Sequence, residues 1–450
     1  MRFPGRRPHR GAARAEAGTG GVMRPASRTI WMSCAVLVLL SGCMGGGDTA
    51  ARGASDPAAP ALGQAEASKS TVIADLLRRR SVIAPGSAYA KVAGAVLEAN
   101  SRAAEADLRA AKLRAVAAEK NWLPTIGPSV SLTSLGDLVS SIILDQVIWQ
   151  GGKKKAERAF AAADVEHAAV VLAEDTNARV LSALSLYLAA EQGRAEAAVA
   201  ATGLEQMKHF EWVMEQRVSG GVSDLSELSV MRQKRAEVEA TMNAGAEAAA
   251  TALAELNAMS VRPLQDVRGL GKASVPGGEQ KAIGVLKAEA NKTRLVAQAK
   301  IERAGYLPGV SAQADLSNGG GALNVGAENG LGFGTGARLK AIKAAEEGAE
   351  AKLGQAREKS ARSLAGLRQE LAATERQAAE QATLAAQARR NYEIFRQQYD
   401  GGQRNVLDVV NTFETWLDAE TKRVALTHRA ALTHLKIAAE LGLLVDGSRI

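Results

Sequence analysis

The sequence is an internal duplication, and this limits what the chain can fold into more than any other feature. Four landmarks recur in the same order: WLP at 122–124 as YLP at 306–308, Gly152 as Gly336, RVSGGVSDLSEL at 217–228 as QYDGGQRNVLDV at 398–409, and AELN at 254–257 as AELG at 439–442. The spacing between the copies stays between 181 and 185 residues. The sequence therefore predicts two copies of one structural unit in tandem.

Each copy predicts mainly α structure with a small β part. A first helix ends at Leu-Pro, because proline has no amide hydrogen with which to continue it. Two short strands follow, a Gly step opens a second helix on the order of 100 Å long, and a Gly-Gly turn leads into a third helix. The Gly-Gly turns are Gly220-Gly221 and Gly401-Gly402. The predicted helices are 88–121, 153–218 and 223–259 in the first copy and 280–305, 337–400 and 404–442 in the second.

The composition agrees with long helices packed as coiled-coil hairpins. The chain is rich in alanine, and aromatic residues make up only 4% of it. Such a composition is typical of long helices, which pack closely through small side chains.

The N-terminus predicts a targeting segment rather than a folded element. Two arginines precede an apolar run at 30–40, which is shorter than the roughly 20 residues that span a bilayer as a helix. The run ends in Leu-Ser-Gly-Cys, which resembles the lipobox of bacterial lipoproteins and implies cleavage before Cys43 and acylation of its thiol. A plain secretory signal is the alternative. Translation can start at Met1 or Met23, and the shorter basic region favours Met23.

Removing the signal segment changes the charge of the protein. The formal net charge of +8 includes seven arginines and one glutamate within residues 1–42. The remainder carries 49 Lys and Arg against 47 Asp and Glu, a net charge of +2. This balance gives no reason to expect a nucleic-acid partner. His428 and His434 are six residues apart and not on one helical face, so no metal or cofactor is expected.

The predicted organisation has six parts. They are a signal peptide (1–42), a lipidated disordered linker (43–85), the first repeat (86–262), a linker (263–279), the second repeat (280–444) and a tail (445–450).

The two Leu-Pro strand entries, the strand–glycine–helix step and the two helical tips together resemble the TolC-type outer-membrane factor family, here as a lipoprotein variant. The resemblance implies a homotrimer in which each chain gives four short strands to a 12-stranded β-barrel and long helices to a tunnel in the periplasm. It implies a passive outer-membrane exit duct for efflux or type I secretion, working with a periplasmic adaptor and an inner-membrane pump. The motifs do not specify the exported substrate.

The same resemblance implies a gate at the helical tips. In the family, a tyrosine and an arginine at the second tip hold the entrance closed, and an acidic ring lines the constriction. These positions correspond to Tyr399, Arg404 and Asp408, with the acidic position of the first tip at Glu227. The second acidic position of the ring is Asn411 here, which departs from a double ring.

Elementary physics supports the barrel. Four strands cannot close a barrel, and open sheet edges do not occur in lipid, whereas three chains supply twelve strands. Four aromatic residues at the helix–strand junctions predict a girdle at the membrane interface: Trp122, Trp149, Tyr306 and Phe333. The first pair of strands, at about 9 or 10 residues each, is at the minimum for spanning, so complete spanning stays open.

The alternative function is a periplasmic adaptor or a coiled-coil scaffold lipoprotein. An adaptor carries one helical hairpin between β-rich halves, whereas this chain predicts two hairpins and little other β sequence. No arrangement of residues predicts an enzyme.

Overall fold

The computed structural model describes residues 70–99, 103–132, 138–273, 280–317 and 319–449. The predicted signal segment and Cys43 lie outside these ranges. The elements are α1 (Thr71–Arg78), α2 (Ala88–Leu97), α3 (Ala103–Glu119), β1 (Thr125–Leu132), β2 (Leu138–Trp149), α4 (Lys153–Ser219), α5 (Leu225–Ala258), α6 (Ile283–Ala304), β3 (Pro308–Asp315), β4 (Gly320–Ala327), α7 (Thr335–Asp400) and α8 (Val406–Glu440).

The duplication is present in the fold. Each copy consists of a helix, two strands and a long helical hairpin, formed by α4 and α5 in the first copy and by α7 and α8 in the second. The long helices α4 and α7 have 67 and 66 residues, as the sequence predicts. The first helix differs from the prediction, because it is divided into α2 and α3.

A short helix lies where the sequence analysis places a disordered linker. Residues 71–78 form α1, whose first turn is capped by the Ser70 hydroxyl, which accepts a hydrogen bond from the Ile73 amide (3.1 Å). Val72, Ile73 and Leu76 are buried in an apolar cluster with residues of α4 and α6. The linker prediction is wrong for this stretch, because these three side chains share one helical face and have a surface to bury it against.

The segment after α1 is hydrogen-bonded to residues near the C-terminal end of the chain and before α6. The buried guanidinium group of Arg79 donates hydrogen bonds to the carbonyls of Leu441 and Lys281. The Val82 amide donates to the Leu443 carbonyl at 2.9 Å. Leu441 and Leu443 follow α8 and Lys281 lies two residues before α6, so the segment that precedes the first copy is bound to both ends of the second copy.

The four strands form one antiparallel sheet in the order β1-β2-β3-β4. β2 pairs with β3, so the sheet joins the two copies, and β1 and β4 are its edges. Strands β1 and β3 begin, and β2 and β4 end, at the side of the sheet from which the helices continue.

The two glycines before α4 have a left-handed backbone conformation that the equivalent glycine of the second copy does not share. Gly151 and Gly152 have φ of +55° and +85°, and a Cβ on Gly151 would lie 2.7 Å from the Cβ of Leu307. The equivalent Gly336 lies inside the first turn of α7 and has no positive φ. The prediction that the step occurs twice is therefore wrong for the backbone. The first copy must turn directly beside Leu307, whereas several residues separate β4 from α7.

Within the first hairpin the two helices touch through their backbones. A Cβ on Gly193 would lie 2.6 Å from the Gly245 carbonyl oxygen, and a Cβ on Gly245 would lie 2.9 Å from that of Gly193. Only glycine at both positions allows this approach, which sets where α4 and α5 cross.

Among the described residues, no helix combines the length and apolar character needed to cross a membrane.

Candidate functional site at the helical tips and the sheet

Both hairpins reverse direction with the same hydrogen-bonded turn. The Gly221 amide donates to the Val218 carbonyl (3.1 Å), and the equivalent Gly402 amide donates to the Tyr399 carbonyl (2.9 Å). In each case the next amide bonds back to the carbonyl five residues earlier. Gly221 and Gly402 have φ of +72° and +74°. This is a Schellman ending, in which the left-handed residue is usually glycine.

The returning helices are capped at equivalent positions. Asp224 accepts hydrogen bonds from the amides of Ser226 (2.8 Å) and Glu227 (3.0 Å), and Asn405 accepts one from the Leu407 amide (3.4 Å). The Ser226 hydroxyl also donates to the Asp224 carboxylate, and this bond is the main reason that the pKa of Asp224 is lowered. Each tip is thus a glycine turn followed by an Asp or Asn cap, which together satisfy the ends of both helices.

The structure brings three of the four predicted gate residues together on the second tip. Arg404 lies over the ring of Phe395, with the guanidinium carbon 4.1 Å from the ring centre. It donates to the Gln398 side chain at 3.0 Å and lies 3.9 Å from the Asp408 carboxylate. Tyr399 is half-buried and packs against an apolar cluster formed by residues of α4, α5, α7 and α8 near the tips.

Glu227 belongs to the other hairpin. It is half-buried in the first turn of α5, directly after the cap. In the described part of the chain, the partners of Arg404 all belong to its own hairpin. A bond between Arg404 or Tyr399 and Glu227 therefore stays a prediction for an assembled protein.

The sheet has two unlike faces. On one face Ile126 pairs with Leu144 and Val310 with Val325. Several large side chains on this face are exposed, among them Leu323 and Val325 at 66% and 68% accessible, and Leu144 and Val310 are half-buried. The register places these residues on the same side, because side chains alternate between faces along a strand.

The opposite face carries polar side chains that are hydrogen-bonded across strands, beside Ile143 and Val147 of β2. The Gln313 amide donates to the Asp145 carboxylate (2.8 Å), and the Asn324 amide donates to Gln313 (2.9 Å). Thr125 and Ser311 lie on the same face. The sequence analysis did not single out this row, although the alternation in SAQAD (311–315) is the signal that could have revealed it.

The four predicted girdle residues lie at the helical side of the sheet. Trp122 lies three residues before β1 and Tyr306 two before β3, Trp149 ends β2, and Phe333 lies between β4 and α7. Trp122, Trp149 and Phe333 are exposed, and Tyr306 is half-buried. Their common position at one end of the sheet supports the predicted girdle.

Among the described residues, no group of three His, Cys, Asp or Glu could hold a metal ion.

The structure is similar to solved structures of outer-membrane channels. A membrane protein from Pseudomonas aeruginosa gives a TM-score of 0.70 at 15% identity, over 81% of this chain and 92% of that one. The outer-membrane channel OprN gives 0.67 at 18% identity, over 86% and 98%. The open-state MtrE outer membrane channel of Neisseria gonorrhoeae gives 0.65 at 13% identity, over 82% and 95%. The sequence matches no protein-family model and no curated protein. The chain has the fold of these outer-membrane channels, which confirms the predicted fold class.

The tip geometry predicts that the two glycines of one turn differ in importance. Gly402→Ala places a Cβ on a left-handed backbone, which costs roughly 1–2 kcal/mol. Amide hydrogen exchange across residues 398–406 should therefore be faster by about 5–30-fold. Gly401→Ala is the matched control, since Gly401 has φ of −83° and an added Cβ would lie 3.6 Å from the Gln397 carbonyl oxygen. Equal exchange in the two variants would contradict the turn.

Proposed function

We propose that this protein is the outer-membrane channel-tunnel component of a tripartite efflux or type I secretion system, a passive trimeric exit duct. The observation that carries the proposal is the sheet, which has one mainly apolar face, one face with a hydrogen-bonded polar row and two edge strands, at the end of two long helical hairpins. The likeness to outer-membrane channel structures supports the same reading.

The unlike faces suit a barrel wall. A strand in an outer-membrane barrel turns apolar side chains to lipid and polar side chains to the lumen. Here Ile126, Leu323 and Val325 would contact lipid, and Asp145, Gln313 and Asn324 would line the lumen. The apolar face has no cover within the described part of the chain, which is costly in water and favourable in a bilayer.

The two edges require further copies of the chain. The edge strands β1 and β4 each present backbone groups that no strand of their own sheet pairs with. In lipid such groups must be bonded, so β4 of one copy would pair with β1 of the next. Three copies give twelve strands, within the known range of membrane barrels.

The remaining parts of the proposal concern anchoring and partners. Acyl chains on Cys43 would add attachment to outer-membrane lipid, which suits strands of only 8 to 12 residues. The tips would face a periplasmic adaptor and an inner-membrane pump. A periplasmic adaptor or a coiled-coil scaffold lipoprotein is the competing function, and it differs in assembly and membrane insertion.

The proposed function predicts a trimer. Detergent-purified protein should have the mass of three copies, and negative-stain images should show a cylinder whose helical part is on the order of 100 Å long. A monomeric rod that washes from membranes after removal of the lipid anchor would contradict the channel and favour the scaffold.

The lipobox predicts an acylated N-terminus. Mass spectrometry of the mature protein should find Cys43 as the first residue, carrying acyl chains. A Cys43→Ser variant should lose this modification and retain the rest of the chain's fold. An unmodified N-terminal peptide that begins elsewhere would reject the lipid anchor without affecting the channel proposal.

The gate residues predict a change in conductance. Exposed ion pairs contribute at most about 1 kcal/mol each, so a threefold set could hold a closed state that a partner can open. Replacing Tyr399→Phe and Arg404→Ser should raise single-channel conductance in planar bilayers. Asp408→Ala should lower cation selectivity and weaken block by trivalent cations, because three carboxylates would ring the pore.

The control for the gate is a more exposed ion pair on α8, farther from the tip. Lys422 and Asp418 form an i,i+4 ion pair at 2.7 Å on α8. Lys422→Ser should leave conductance unchanged. If the trimeric gate variants conduct like the parent and like Lys422→Ser, the gate assignment is wrong.

A further inference from the structure

The two long helices are covered very unequally, although they occupy equivalent places in the duplication. α4 packs against α3, α5, α6 and α8, whereas the main contacts of α7 are with α6 and α8. In α4, 23 of 67 residues are buried, and in α7 only 6 of 66. The helices that cover α4 from the other copy, α6 and α8, are equivalent to α3 and α5. By the equivalence of the two copies, the open face of α7 is the position that α3 and α5 of a second chain would occupy.

A single contact shows how this site would be filled. Inside the chain, Gly203 of α4 receives Leu417 of α8, whose methyl carbons would lie 3.1 Å from a Cβ on the glycine. Near the tips the copies are offset by 181 residues, so the equivalent residues are Leu384 of α7 and Ala236 of α5. Leu384 is 53% accessible, and Ala236 is exposed. The large and small partners are exchanged between the helices, so a leucine again meets a small residue.

We infer that α5 of a second copy packs against α7 near the tips, with Leu384 against Ala236. We call this contact the seam between chains, and the equivalent contact of α4 with α8 the seam within the chain. The seam between chains is polar where the seam within the chain is aromatic. The inference rests on the proposed trimer and adds to it the residues that join the copies.

The seam within the chain is closed by aromatic rings. Phe210 of α4 and Phe413 of α8 are both buried, and their ring centres are 6.3 Å apart. Tyr392 and Trp416 stack on each other beside them, with ring centres 6.1 Å apart and planes 9° from parallel. The Phe210–Phe413 contact joins the two hairpins of one chain, and the Tyr392–Trp416 stack lies within the second hairpin.

At the equivalent positions the aromatic residues are replaced by polar and charged ones. Tyr392, Phe413 and Trp416 correspond, at the 181-residue offset, to Glu211, Arg232 and Arg235. These three form an ion cluster in the first hairpin. Glu211 lies 3.2 Å from Arg232 and 2.9 Å from Arg235. Three equivalent positions are therefore occupied by packed aromatic rings in the second copy and by paired charges in the first. In both copies the three side chains contact one another, which agrees with the 181-residue offset near the tips.

The counterpart of the Phe210–Phe413 contact would lie between chains. Phe210 corresponds to Asn391, and Phe413 corresponds to Arg232 of the neighbouring copy. Asn391 is exposed and the Arg232 side chain is 55% accessible in the single chain. Separating a buried aromatic pair exposes apolar surface to water, whereas an amide and a guanidinium group regain hydration. The seam between chains is therefore the weaker of the two.

Cysteine cross-linking tests the pairing. In the full-length trimer, Leu384→Cys with Ala236→Cys should link on oxidation or with a short bismaleimide and give covalent dimers and trimers on a non-reducing gel. Gly203→Cys with Leu417→Cys should link within one chain and leave the monomer mass unchanged. Leu384→Cys with Thr241→Cys, five residues along α5 and on another face, should not link. Single-cysteine variants control for Cys43.

The outcomes separate this inference from the proposed function. If the protein is not a trimer, the proposed function fails first. If it is a trimer, the absence of links through Leu384 and Ala236, or equal linking through Thr241, overturns the assigned seam and leaves the channel intact.

Transplanting the aromatic pair tests the polarity of the seam. Asn391→Phe with Arg232→Phe installs between chains the contact that Phe210 and Phe413 make within one. The temperature at which the trimer dissociates should rise by about 2–4 °C above that of either single variant. A double variant no more stable than expected from the two single variants would show that these residues do not meet, and would overturn the inference.

Discussion

Unpaired backbone groups at the two edges of the sheet are the constraint on which the rest of the structure depends. β1 and β4 have a partner on one side only, and one face of the sheet carries exposed Ile, Leu and Val side chains. Water tolerates bare edges but not a wide apolar face, and lipid tolerates the face but not the edges. Pairing β1 of one copy with β4 of another in a membrane satisfies both requirements at once.

The duplication explains how one short chain could build such an assembly. Both copies keep the features that fix direction: proline where the first strand begins, a left-handed glycine at the tip and a polar cap after it. They differ where they meet their neighbours. In the second hairpin the rings of Tyr392, Phe413 and Trp416 pack together, and Phe413 also contacts Phe210 of the first hairpin. Charges at Glu211, Arg232 and Arg235 occupy the same positions in the first hairpin, whose outer neighbour would be another chain.

The sequence predicts most of the architecture because its signals are local. Prolines, paired glycines and long alanine-rich stretches specify where helices begin and end, and α4, α5, α7 and α8 follow the predicted bounds within a few residues. Other features depend on contacts between distant residues. α1 is helical because α4 and α6 provide a surface for it. Gly336 lacks the conformation of Gly152 because a longer connection precedes α7. The partners of Arg404 depend on side-chain positions that no motif encodes.

The most direct test of the account is a pair of substitutions at adjacent residues on opposite faces of β4. Leu323→Arg places a charge on the face assigned to lipid, which costs about 2–4 kcal/mol near the middle of a bilayer, whereas Asn324→Arg places it in the assigned lumen. The measurement is the amount of trimer recovered from outer membranes. The account predicts a severe loss for Leu323→Arg and near-parental recovery for Asn324→Arg. Equal recovery of the two variants would contradict a membrane barrel built from this sheet.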